Sequence, residues 1–257
     1  MTGGVLAAIV GPELVKRTNM LIPPLAFLGT YACLTVLPLI AAILLLFVRV
    51  PPLVRAEGAP VPFRAILTRP NFIAAVVCSM VGYGTMNLVM ASTPLQMMFC
   101  GFGIGASADV IRAHSIAMFL PGFVTGRLIQ RIGVHRIIFA GGLLTLLCVA
   151  VNVAFSPTYA TFMVALVLLG VGWNFMFVGG TTLLTTAYAP AERVRVQATN
   201  DFIVFGTVAC TAFTSGAVQA TAGWAALNLT VVPPVIIAVS LIAWHWTARS
   251  RLAPAEV

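Results

Sequence analysis

Residues Gly126–Arg136 read GRLIQRIGVHR: three arginines and a histidine in eleven residues of a chain that is only 8% charged. Apolar runs of membrane-spanning length flank this stretch on both sides. A charged turn between two such runs is what a loop at a bilayer surface looks like, and the whole composition agrees. The 257 residues are 60% hydrophobic, include 16 Phe and have a mean hydropathy of +1.06. A soluble domain carries roughly a quarter of its residues charged. This chain has too little charge to clothe itself in water, and the solvent it expects is lipid.

Crossing the hydrocarbon core takes about 20 apolar residues as helix. Seven runs qualify: 25–48, 72–95, 108–129, 137–156, 160–182, 200–220 and 226–247. Unpaired backbone groups are too costly in lipid for anything but helices or closed barrels. Barrel strands alternate apolar and polar residues, and these runs do not. The expected fold is an all-α polytopic membrane protein. The opening MTGGVLAAIVGP stays apolar for only twelve residues before Glu13, Lys16 and Arg17. That is short for a spanning helix and lacks the basic start of a signal peptide, which leaves an interfacial stub or the last half of a helix. Pro38, Pro121 and the Pro233–Pro234 pair are expected to kink their helices.

A net charge of +8 invites a nucleic-acid reading until the charges are placed. Taken in order, the segments between the apolar runs fall into two alternating sets. Eleven of the fourteen cations lie in one set: Arg49, Arg55, Arg64 and Arg69; then Arg127, Arg131 and Arg136; then Arg193 and Arg195; then Arg249 and Arg251. The other set holds only Lys16 and Arg17. Cytoplasmic loops carry the excess of Lys and Arg, so the arginine turn and the C-terminus are expected in the cytoplasm, and nucleic acid is no partner. Arg112 fits neither set and falls inside an apolar run. Loop 49–70, RVPPLVRAEGAPVPFRAILTRP, carries five prolines and four arginines and reads as an irregular linker. The chain divides into a front part (1–48), a cytoplasmic linker (49–71), six helices (72–248) and a cytoplasmic tail (249–257).

On these stretches the chain resembles the major facilitator superfamily of secondary transporters, in particular bacterial drug-efflux-like members. GRLIQRIGVHR resembles the family's cytoplasmic signature, roughly G-x-L-x-D-R-x-G-R-R, in its copy between helices 8 and 9, with Gln130 where the signature has Asp. LGVGWNFMFVGGTTLLTTAY resembles helix 10, APAERVRVQATND the loop into helix 11, and MASTPLQM the outer end of helix 7. AAIVGP (7–12) resembles the end of the antiporter motif on helix 5, with Ala7 replacing its first Gly. The resemblance implies two six-helix halves around a midplane site. This chain would hold the end of helix 5, helix 6 and the C-terminal six, as a frame truncated to an internal Met. It further implies a bacterial inner-membrane location and a small organic substrate exported by alternating access in exchange for protons. The implied partners are the bilayer, that substrate and the missing N-terminal half or a partner half. The alternative is a non-transporting membrane fragment or accessory subunit.

The residues that could carry such a function are few. An ionisable group in a membrane helix costs about 2.5–3.5 kcal/mol on insertion scales, so Arg112 needs a reason. Asp109, three residues earlier on the same face, can pair with it at the outer interface; otherwise Arg112 faces a cavity and binds substrate. His114 lies deeper and is either a proton carrier or a hydrogen-bonded packing residue. Tyr83 and Asn87 share a helix face, and Trp173 and Asn174 sit near mid-depth of another. Aromatic plus amide suits a planar amphipathic substrate, and glycine-mediated helix packing explains the same residues. In the arginine turn, Gly126 and Gly133 allow a close turn and approach, and Arg127, Arg131 and Arg136 hold it inside. Asn200 and Asp201 are expected to open helix 200–220 as caps, and the resemblance makes Asp201 a candidate gate partner for Arg131.

Other classes lack their marks. No GxxxxGK[ST], GxSxG or HExxH occurs, so neither an ATPase nor an enzyme is indicated. Cys33, Cys78, Cys100, Cys148 and Cys210 are scattered without CxxC or Cys/His spacing, and no cofactor or metal is expected.

Overall fold

The structure, a computed structural model, describes residues 2–18, 21, 22, 25, 27–49 and 62–252. It is all helical: α1 (Thr2–Thr18), α2 (Leu28–Leu46), the short α3 (Phe63–Leu67), α4 (Pro70–Phe99), α5 (Ile104–Phe119), α6 (Gly122–Ile132), α7 (Val134–Ala154), α8 (Tyr159–Leu184), α9 (Arg193–Leu229) and α10 (Val232–Leu252). Among the described residues, five stretches are long and apolar enough to cross a membrane: α2, α4, α7, α8 and the run Pro190–Ala248 that contains α9 and most of α10. The all-α membrane fold expected from the sequence is the one observed.

α8 is the centre of the bundle and packs on α4, α5 and α7. Its sequence explains why. Phe162, Leu166, Leu169, Trp173, Met176 and Leu183 recur at three- and four-residue spacing and are all buried. Glycines fill the other faces. A Cβ at Gly170 would lie 2.6 Å from the His114 carbonyl, so only glycine lets α5 and α8 approach this closely. Outside this core, α4 also packs on α9 and α10, α7 on α10, α1 on α5 and α2 on α1. Polar pins join helices near their ends: Asn152 Nδ2 donates to Asn228 Oδ1 (2.8 Å), and Gln219 Nε2 to Gln96 Oε1 (2.6 Å). Large apolar side chains left exposed, such as Leu46 and Phe213, have lipid or further protein as their natural cover.

Several expectations need correction. Run 108–129 is not one helix: Pro121 has no N–H to continue the ladder, and the chain breaks between α5 and α6. Pro233 and Pro234 do not kink α10. They fall in its first turn, where no intrahelical N–H bond is required. The break expected at 221–225 narrows to Gly223 alone, at φ 81°, with helix on both sides. Asn200 and Asp201 do not open a helix, because α9 already begins at Arg193 after a 3-10 turn at Pro190–Glu192. Of the linker 49–71, residues 50–61 (with Arg55) lie outside the described residues, as do 253–257 of the tail. Within the remainder of the linker, 63–67 form α3 rather than irregular chain.

Candidate functional site

An apolar cavity of about 780 Å³ opens between α1, α4 and α5, towards the end of the bundle away from the arginine turn. Gly11, Ala91, Pro94, Ile111, Ser115 and Phe119 are among its lining residues. Small-molecule sites run roughly 300–1,000 Å³ and are mostly apolar, so the size is that of a ligand site. Phe119 belongs both to the cavity and to a cluster of rings behind it. Its ring meets Trp173 edge-on at 6.0 Å, and Trp173 stacks on Phe177 at 5.1 Å and 13°. Tyr83 stands edge-on to Trp173 (5.3 Å), Phe177 (5.2 Å) and Phe205 (5.8 Å). Helices α4, α5, α8 and α9 thus each contribute to one aromatic wall. Trp173 is 6% exposed, and its Nε1 is buried with no hydrogen-bond partner.

The structure therefore brings Tyr83 and Trp173 together, and it does not bring the two asparagines to them. Asn87 donates to the Val208 carbonyl and the Thr211 hydroxyl, both at 3.1 Å, and so ties α4 to α9. Asn174 is fully buried. Its Nδ2 donates to the Met118 carbonyl (2.7 Å) and its Oδ1 accepts from Thr125 Oγ1 (2.6 Å). Met118 is the carbonyl that a continuous helix would have bonded to Gly122. Asn174 thus satisfies the backbone group freed by the α5–α6 break, and the amide that a motif reading assigns to substrate is spent on the chain.

His114 is also fully buried. Its Nδ1 lies 2.7 Å from the Leu166 carbonyl, an acceptor only, so Nδ1 carries the hydrogen and Nε2 is left as a bare acceptor with no partner. The close approach at Gly170, one turn along α8, makes this bond possible. Arg112 sits in a cluster at the outer end of the α1–α5 contact. Its Nη1 donates to Asp109 (3.2 Å) and its Nη2 lies 3.9 Å from Glu13, while Lys16 reaches Asp109 at 3.2 Å. Arg112 is not among the cavity-lining residues, although its neighbour Ile111 is.

At the opposite end, the arginine turn closes on one residue. Gly133 has φ 92°, a left-handed value that favours glycine, and it separates α6 from α7. At Gly126 the expected close approach does not occur: nothing would meet a Cβ there. Arg127 and Arg131, on α6, and Asp201, on α9, are exposed, and among the described residues Arg131 and Asp201 form no ion pair. Arg136 lies over the ring of Trp246 at 5.3 Å.

The strongest polar contact at this end was missed by motif reading. Arg69 caps α4 and binds Glu192 with both nitrogens (2.6 and 2.9 Å) and the Ala187 carbonyl (2.8 Å). Glu192 also accepts from the Ala189 N–H at 3.0 Å. The hydrogen bond to the Glu192 carboxylate pushes the Arg69 guanidinium above its ordinary range. The sequence signal was present: Glu192 is the one carboxylate in an otherwise basic loop. Phe119, Phe177 and Phe205 were missed for a different reason, since Phe is common throughout a lipid-facing chain.

The cavity is apolar and lies between helices of a membrane-length bundle, a setting in which small-molecule sites are found. No protein-family model matches the chain. It is 38% identical over 268 residues to the riboflavin transporter RfnT of Brucella anthropi, covering 100% of this chain and 65% of that one. Against the uncharacterized MFS-type transporter YdeG of Bacillus subtilis the identity is 34% over 161 residues, 62% of this chain and 37% of the relative. YddS, another uncharacterized MFS-type transporter of Bacillus subtilis, is 30% identical over 263 residues, 94% of this chain and 59% of its own length. All three relatives are transporters, two of them MFS-type, and the chain is similar to each over the part that it spans. It spans less than two thirds of each of these relatives.

Proposed function

We propose that the chain is the part of a secondary transporter that grips a planar heteroaromatic solute, with riboflavin as the test case. One observation carries this reading: the apolar cavity ends on Phe119, and Trp173, Phe177 and Tyr83 stand ring on ring behind it. A flat ligand stacks on such a wall, and aromatic pairs contribute about 0.5–1.5 kcal/mol each beyond their burial. Phe119 is the ring that faces the cavity, and Trp173, buried outside the lining, backs it and fixes its position. Similarity to a riboflavin transporter supports the same solute class. In this reading the arginine-rich end faces the cytoplasm of a bacterial inner membrane. The remainder of the transporter completes the site, and rocking of the halves exposes it alternately.

The test is equilibrium dialysis of riboflavin against the full chain in lipid nanodiscs. The wild type binds, and Trp173→Ala weakens binding about tenfold, the equivalent of one good ring pair. No binding by the wild type, or equal binding by Trp173→Ala, overturns the proposal.

A second reading, proton coupling through His114 in an exporting antiporter, rests on the bare buried Nε2. An imidazole nitrogen with no partner is a place for a proton during a transport cycle. In vesicles holding the complete transporter, His114→Gln abolishes the response of riboflavin efflux to an inward proton gradient while leaving counterflow intact. An unchanged gradient response removes that role.

A further inference from the structure

Two charges of the arginine turn have no anion within the described chain. Arg127 and Arg131 are exposed on α6, and among the described residues neither forms an ion pair. Gln130, between them in sequence, stands where the facilitator signature has Asp, so the nearest carboxylate that could have served them is missing. The carboxylates of the described residues are engaged elsewhere. Glu13 and Asp109 meet Lys16, Arg17 and Arg112 at the far end, Glu192 holds Arg69, and Asp201 accepts from Asn200. Like charges four residues apart destabilise a helix, and an anion held between them removes that cost.

The rest of the helix says what kind of anion fits. α6 runs from the break at Pro121 to the turn at Gly133, and positions 123, 127 and 131 recur every four residues on one face. Thr125, on the opposite face, is buried and bonds Asn174 of α8, so this stripe points away from the bundle core. At 1.5 Å per residue, Arg127 lies about 6 Å along the helix from Arg131, and Phe123 about 6 Å further. Phe123 and its neighbour Val124 are exposed. From the end of the bundle inward the order is therefore cation, cation, apolar surface. A free phosphate ion has no use for the apolar part, whereas a phospholipid matches both parts.

An independent feature sets the depth. Trp244 and Trp246 of α10 are exposed, and Arg136, in the first turn of α7, lies over the Trp246 ring at 5.3 Å. Exposed Trp is enriched at the membrane–water interface, which puts the α6–α7 turn at the level of lipid headgroups. We propose that the outward face of α6 binds one anionic phospholipid, with its phosphate between Arg127 and Arg131 and its acyl chains along Phe123 and Val124. Basic side chains at the ends of membrane helices attract anionic headgroups. Arg136, itself exposed, adds to the positive field beside them.

The test is native mass spectrometry of the full chain in detergent micelles, titrated with phosphatidylglycerol or with phosphatidylcholine of the same acyl chains. Each arginine beside an anionic lipid contributes about fivefold in affinity, so the wild type is expected to hold one phosphatidylglycerol about 25-fold more tightly than phosphatidylcholine. Arg127→Gln and Arg131→Gln each lose about fivefold, and the double variant about 25-fold. Arg64→Gln removes an exposed cation of α3 at the same end of the bundle and leaves the affinity within about twofold. Phe123→Ser weakens both lipids alike. A wild type without preference for phosphatidylglycerol overturns the proposal, and so does a Phe123→Ser variant that binds both lipids as before. A loss in Arg64→Gln equal to that in Arg127→Gln would reduce the effect to diffuse attraction and also overturn it. Displacement of the lipid by equimolar glycerol phosphate would show that the headgroup alone is bound, against the acyl contacts proposed. If the double variant does not fold, the single variants decide.

Discussion

Replacing Asn174 by leucine separates the two readings of that residue. The leucine keeps the branched skeleton of asparagine but has larger methyl groups, so crowding at the 2.6 and 2.7 Å contacts adds to the loss of two hydrogen bonds. The Thr125 hydroxyl has a single proton and shares it between Asn174 Oδ1 at 2.6 Å and the Pro121 carbonyl at 2.8 Å, so it falls back on Pro121. The Met118 carbonyl has no such alternative, because the ladder is broken at Pro121. One buried acceptor is therefore orphaned, at about 1–3 kcal/mol. Interhelix hydrogen bonds in membranes average only about 0.6 and reach about 1.7 kcal/mol, so 1–2 kcal/mol is the expected destabilisation. Thr125→Val orphans Asn174 Oδ1 in the wild type but nothing in the leucine background, so the double mutant costs about the same as Asn174→Leu alone. Reversible unfolding in mixed detergent micelles, followed by far-ultraviolet circular dichroism, measures all four species. Strict additivity of the two substitutions, or a leucine variant within about 0.3 kcal/mol of wild type, would refute the hinge role. Loss of riboflavin binding at unchanged stability would return Asn174 to the substrate site.

Gly170→Ala places a Cβ 2.6 Å from the His114 carbonyl and 2.9 Å from Ala117 Cβ. Backbone stands on the far side, so α5 and α8 must separate, at about 1–3 kcal/mol; the same unfolding assay reads this, and a neutral result contradicts the packing. Arg69→Lys loses the two-nitrogen grip on Glu192, since an ammonium cannot bond both oxygens in that planar geometry. Faster hydrogen exchange at amides 187–192 is expected, and exchange identical to wild type would show that the clamp does not order that loop. Asp109→Asn breaks the contacts to Lys16 and Arg112, but side chains here are 33%, 41% and 29% exposed. Partly exposed pairs contribute about 0.2–1 kcal/mol, so the loss of stability stays under about 1 kcal/mol, and a larger value would mean that further protein buries the cluster.

How much of this was legible in the sequence differs by layer. Membrane helices were plain, because a long apolar run is the signal that lipid selects. The arginine turn was plain as well, and Gly133 sits where a one-residue turn needs a left-handed φ. Helix ends were not: Asn200 and Asp201 look like caps, yet Pro190 and Glu192 had already started α9 seven residues earlier. Hydropathy joined 108–129 into one run because it is blind to a missing N–H, and Pro121 marked the place where the expected kink is a full break. Asn174 and Trp173, adjacent in sequence, looked like one site. On a helix, neighbours point about 100° apart, so one joins the aromatic wall and the other holds the α5–α6 break. His135 lies in the arginine turn and His245 in an apolar helix, and only the folded chain places them in contact.

Two devices converge on α8: Trp173 and Phe177 give its wall face, and Gly170 and Asn174 its α5 face. Both faces lie within one helix of 26 residues, so a displacement of one is passed to the other. Gly170→Ala, which forces α5 from α8, must then also draw Phe119 away from Trp173, whose rings meet at 6.0 Å. Riboflavin binding should fall in that variant together with stability. Coupling of this kind is reciprocal, so riboflavin should in turn stabilise the wild type more than the alanine variant; equal affinity in the two would show that the wall and the α5–α8 contact are independent.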